Sequence, residues 1–77
     1  MKEIEVDARN LLCPMPVIRA QNAVAELATG DRVRVLCTDP GALNDIPAWC
    51  RINGHKLIST EDTQELITVV VEVQAES

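Results

Sequence analysis

Hydrophobic and polar positions alternate from the start of the chain. Ile4 and Val6 fall on one side and Glu3, Glu5 and Asp7 on the other, a period of two that predicts a half-buried strand over residues 2–7. A polar turn from Asp7 to Asn10 follows, and then the period changes. From Cys13-Pro14-Met15-Pro16 onward, Val17, Ala20, Val24 and Leu27 form the single apolar stripe of a helix that Gly30 is expected to stop. Pro14 suits the first helical position, where a missing N–H costs nothing. Alternation returns over residues 32–38, with Val33, Val35 and Cys37 opposite Arg32 and Arg34. Asp39-Pro40-Gly41 reads as a turn. A second helix, roughly 42–53, carries Leu43, Ile46 and Cys50 on one stripe and ends near Gly54. Pro47 within it predicts a kink or a restart, because proline donates no N–H to the preceding turn. Two more strands, about 56–61 and 65–73, are joined by an Asp62-Thr63-Gln64 turn, and the last carries Ile67, Val69, Val71 and Val73 on one face.

The predicted order is βαβαββ. Strands with one polar face and helices with one apolar stripe place both helices on one side of a single sheet. A right-handed crossover makes the first two strands parallel and the final hairpin is antiparallel, so the sheet is mixed. No repeat, linker or low-complexity tract interrupts the pattern. Residues 1–77 therefore read as one α/β (α+β) domain with its core over about 3–73 and a short polar tail from Gln74.

Composition narrows the possibilities. Of the 77 residues 47% are hydrophobic, yet Trp49 is the sole aromatic, so the core must be aliphatic. A chain this short buries only about 60–65% of its unfolded surface. Twelve acidic against seven basic residues give a net charge of -5. That balance, without Phe or Tyr for base stacking, argues against direct nucleic-acid binding. No apolar run approaches the roughly 18 residues of a membrane span, and MKEIEVDA lacks a signal-peptide core. A cytoplasmic monomer without membrane contact is the expectation.

The chemistry is concentrated in the cysteines, at positions 13, 37 and 50, with no Cys-x-x-Cys pair for a zinc knuckle or a redox dithiol. Cys37 runs in phase with Val33 and Val35 and reads as core. Cys50 is either core or a second thiol near Cys13. Cys13 falls at or next to a helix N-cap, where orphan N–H groups and the helix dipole favour a thiolate. Such settings bring a thiol from about 8.5 toward about 3.5–7.5. Pro14 and Pro16 stiffen that turn and fix the direction of the sulfur. The competing reading has Cys13 filling space beneath the helix. No resolving cysteine, Ser/His/Asp set or phosphate loop accompanies it, and His55 is distant in sequence. A thiolate without base or cofactor still attacks a sulfane sulfur, holds it as a persulfide and passes it to another thiol.

His55, after Gly54, reads as a helix-exit turn or C-terminal cap, and no ligand partners are spaced for a metal. Trp49 is a core anchor or half-exposed. Met15 and Ile18 fall outside the main apolar stripe and form either an apolar rim for a partner protein or peripheral core. Arg9 and Arg19, the charges nearest Cys13, steer the thiol, meet a partner's acidic groups or are simply solvated.

Asp7, Cys13-Pro14-Met15-Pro16-Val17, Thr38-Asp39-Pro40, Asp45-Ile46-Pro47 with Cys50, and Gly54-His55 with Leu57 resemble the TusA/SirA-like sulfur-carrier family over about residues 4–73. The resemblance implies a two-layer sandwich with a persulfide carried on Cys13 as the covalent intermediate, and no cofactor. It implies a donor protein of the cysteine desulfurase or rhodanese type and a relay acceptor, serving tRNA thiolation, molybdenum-cofactor assembly or bacterial dissimilatory sulfur oxidation. The family usually has glycine where this chain has Asn10, the residue that next best tolerates a left-handed backbone. The alternative function is a non-catalytic regulatory or protein-interaction module of the same fold, using the Met15–Ile18 rim; a thiol peroxidase lacks its base and resolving thiol.

Overall fold

A computed structural model of the chain describes residues 2–12, 14–63 and 65–74. Its elements follow as β1 (Glu3–Ala8), α1 (Met15–Val24), β2 (Arg32–Cys37), α2 (Ala42–Asn53), β3 (Lys56–Asp62) and β4 (Ile67–Glu72). The four strands form one sheet in the order β1-β2-β4-β3. β1 and β2 are parallel, and β4 lies antiparallel between β2 and β3. The register brings the apolar phases of the strands into rows. Ile4, Val33 and Val71 share one row, Val6, Val35 and Val69 the next, and Ala8, Cys37 and Ile67 the last. α1 lies against β1 and β2, and α2 against β4 and β3, which makes the two-layer sandwich.

The core beneath the helices is aliphatic. Val33, Val35, Val69, Val71 and Ile46 are fully buried, and Trp49 joins them from α2. Each such side chain contributes about 1.5–3 kcal/mol of burial. On the opposite face of the sheet, Arg34 sits 3.5 Å from Glu3 and 3.6 Å from Glu5, while Arg32 reaches Glu72 at 3.3 Å. These pairs are partly exposed, so their role is to keep that face wet rather than to stabilise it strongly.

Three local expectations are corrected. Pro14 is the N-cap of α1 and not its first residue; Pro16 instead occupies the second helical position, where its missing N–H falls among the orphans. α1 stops at Val24, well before Gly30. The N–H groups of Glu26 and Leu27 reach back only three residues, to Ala23 and Val24, and tighten the chain out of the helix. Asp31 then accepts the backbone N–H groups of Ala28 and Lys2, both at 2.9 Å, a tertiary tie that periodicity does not reveal. Leu27 still packs against the core, which is why the apolar stripe runs on past the end of the helix. Pro47, finally, does not restart α2, which runs unbroken from Ala42 to Asn53. One missing hydrogen bond is outweighed by burying Ile46, Trp49 and Cys50 around it.

α2 ends where Gly54 turns left-handed at φ 76°, and the N–H of His55 closes on Cys50 O at 2.9 Å. β3 carries a bulge between Leu57 and Ser59. The hairpin turn runs from Thr63 to Leu66, whose backbone and side chain exchange hydrogen bonds, so Asp62 belongs to β3; Gln64 lies outside the described residues.

Candidate functional site

Parallel β1 and β2 end side by side, and each hands the chain to a helix running back. The connections 9–14 and 38–41 therefore gather at one end of the sheet, with the 63–66 hairpin beside them through the Cys37–Ile67 pairing. The first connection opens with a clamp. Arg9 donates from Nε to Asp7 Oδ1 at 2.9 Å and from Nη2 to Asp7 Oδ2 at 3.0 Å, and its backbone N–H reaches Oδ1 at 3.1 Å. The side-chain bond, then the backbone bond, holds the Asp7 carboxyl down at about 2. Any stability it contributes is present above the ordinary carboxylate range and is lost as pH falls toward 2. Arg9 is thus engaged within the chain. Arg19 makes no ion pair among the described residues, though its charge also lowers Asp7 slightly.

Beyond the clamp, Asn10 sits in the left-handed region at φ 64°. Its N–H donates to Thr38 Oγ1 at 2.8 Å, across to the second connection. Leu11 packs on the core, whereas Leu12 is 74% exposed. The N–H of Met15 returns to Leu12 O at 2.8 Å, and Ile18 N–H to Pro14 O at 3.2 Å. Cys13 lies outside the described residues; along the chain it stands between Leu12 and the N-cap Pro14. Pro14 is exposed and Pro16 buried. Met15 and Ile18 are 38% and 41% exposed, so with Leu12 they make an apolar surface rather than core. Leu12 was not singled out from the sequence. The signal was there, since adjacent leucines leaving a strand cannot both face the core.

The second connection organises the start of α2. Asp39 Oδ1 accepts the N–H of Gly41 at 3.1 Å, and the N–H groups of Ala42, Leu43 and Asn44 bond to the carbonyls of Asp39, Pro40 and Gly41.

The remaining thiols belong to the core. Cys37 and Cys50 are free and buried. Burial pushes both up to about 11, with the charge of Asp39 adding to the effect at Cys37. Their folded values lie above the unfolded thiol value of about 8.5, so the stability they confer is intact below that pH and lost as pH rises toward 11. Urea unfolding is expected to show stability falling as pH rises from about 8.5 toward 11, with both thiols contributing. A Cys37→Ala/Cys50→Ala protein should lose most of that slope; an equal slope in both proteins would assign it elsewhere.

His55 serves as a fastener. Its Nδ1 accepts the backbone N–H of Gln74 at 3.1 Å, and its ring lies 5.2 Å from that of Trp49, tying the exit of α2 to the end of β4. Among the described residues, no group of three His, Cys, Asp or Glu side chains is placed to hold a metal ion, and no helix is long and apolar enough to cross a membrane.

The sequence model of the sulfurtransferase TusA family matches residues 4–73. The chain belongs to the TusA family. Relatives agree with that membership. A candidate sulfur carrier protein of Neisseria meningitidis serogroup A is 39% identical over 72 residues, covering 94% of this chain and 97% of its own. The sulfur carrier protein TusA of Pseudomonas aeruginosa is 40% identical over 57 residues, covering 74% of this chain and 72% of its own. The crystal structure of a SirA-like protein from Desulfitobacterium hafniense superposes with a TM-score of 0.81 at 30% identity, over 94% of this chain and 99% of that one. The TusA-family fold is thus the βαβαββ sandwich described above, with both helices on one face of a mixed sheet.

Proposed function

We propose that this TusA-family chain is a single-domain sulfur carrier, a sulfurtransferase in the relay sense, with Cys13 as the carrying residue. The observation that carries the reading is the fate of the other two thiols. Cys37 and Cys50 are buried and resist ionisation, so they supply neither access nor a thiolate. Cys13 alone among the three precedes a helix start, in a Cys-Pro-x-Pro sequence on the connection between β1 and α1.

The step conserves electrons. The Cys13 thiolate attacks the outer sulfur of a donor persulfide, the new Sγ–S bond forms as the donor's S–S bond breaks, and the donor leaves as a thiolate. An acceptor thiolate then attacks the same outer sulfur and releases Cys13. The sulfane sulfur moves at one oxidation level, so no cofactor enters. Leu12, Met15 and Ile18, close to Cys13 in sequence and exposed, give donor and acceptor proteins an apolar contact, while no small-molecule pocket is needed. Incubation with glutathione persulfide is expected to raise the intact mass by one sulfur, with dithiothreitol removing it; a mass that never changes would refute the carrier role.

A further inference from the structure

We propose that Thr38 is a positioning residue for Cys13, its hydroxyl fixing the left-handed corner at Asn10 from which the chain reaches α1. The inference deepens the carrier reading and rests on it for the role of Cys13. β1 must turn back into a helix within residues 9–14, and Asn10 at φ 64° makes that corner. Asparagine tolerates a left-handed backbone better than other chiral residues, yet less freely than glycine, so a hydrogen bond to the peptide at Asn10 helps to hold it there. The bonds of its neighbours are local: Arg9 N–H goes to Asp7 and Met15 N–H to Leu12. Asn10 N–H instead crosses 28 residues to Thr38 Oγ1 at 2.8 Å. Thr38 directly follows Cys37, the partner of Ala8 in the sheet, so the hydroxyl is held by the same rigid strand pair that ends in this connection. Three residues after the corner comes Cys13. The corner sets the direction in which the chain leaves toward α1, and rotation at Asn10 would redirect the segment that contains it.

Thr38 is exposed, so water can replace the bond without a large loss of stability. That separates positioning from support. Thr38→Val keeps the branched shape but accepts no hydrogen bond, whereas Thr38→Ser keeps the hydroxyl. With Cys37 and Cys50 buried, iodoacetamide on the native protein reads Cys13, with Cys13→Ser as the blank. Thr38→Val and Thr38→Ala should be alkylated roughly tenfold more slowly at neutral pH, with the half-maximal pH moved up by about one unit at an unchanged melting temperature. Thr38→Ser should return to the wild-type profile. Identical profiles in wild type and Thr38→Val, or failure of Thr38→Ser to restore, would overturn the inference. Wild-type protein that takes no sulfur, while Thr38→Val still shifts the alkylation profile, would remove the carrier reading and leave the positioning role standing.

Discussion

Cys13→Ser protein is expected to take up no sulfur from a persulfide donor, while Cys37→Ala and Cys50→Ala proteins load to the wild-type level. The contrast follows from ionisation and access. The nucleophile is the thiolate, and a thiol titrating at about 11 holds about one thiolate in ten thousand molecules at pH 7. Cys37 and Cys50 are 0% and 1% exposed, so a donor would have to separate helix from sheet to meet either sulfur. Intact mass after loading distinguishes the variants, with circular dichroism to confirm that each is folded. Sulfur appearing on Cys13→Ser, or disappearing from Cys37→Ala, would move the chemistry to another residue.

Ile46→Ala is expected to cost the fold about 3 kcal/mol, a large share of what so small a domain possesses. Ile46 is the largest of the fully buried side chains and reaches the sheet from the middle of α2. Four valines of the sheet, Val33, Val35, Val69 and Val71, share its core; they are β-branched and rotate little, which limits how far the space can refill. With a urea dependence of about 1 kcal/mol per molar, the unfolding midpoint should drop by about 3 M. Ile52→Ala, in the same helix but 82% exposed, should shift it by no more than about 0.5 M. Equal shifts for the two would mean that α2 does not depend on its buried face.

The strands were legible because alternation is a direct record of a sheet with one wet face. Val33, Val35, Cys37, Val69 and Val71 all lie where their phase puts them. Asn10 was legible as a backbone requirement, since few residue types accept a left-handed corner. The end of α1 was not, because Leu27 is apolar for the sake of the core although its backbone has left the helix, and the Asp31 ties that replace the helix come from Lys2 and Ala28. The restart alternative at Pro47 failed for a similar reason: a local penalty was set against burial that depends on the sheet. The Arg9–Asp7 clamp and the Thr38 bond were also out of reach. The clamp needs two side chains brought together by the turn, and the Thr38 bond needs a hydroxyl and a backbone N–H from two different connections; no spacing rule names either pair.

The bulge between Leu57 and Ser59 has a bearing on how the molecule meets other proteins. An open sheet ends in two strands whose outer backbone groups can template pairing with a foreign chain. β3 is one of them, and the extra residue at Ile58 breaks the regular spacing that an incoming strand would have to match. β1 is the other, and it presents Glu3, Glu5 and Asp7 along its length. Both margins are thereby unsuited to edge-to-edge aggregation. The loop end, with the exposed Leu12, Met15 and Ile18 of the proposed partner surface, is left as the place for contacts made through side chains rather than through strand pairing.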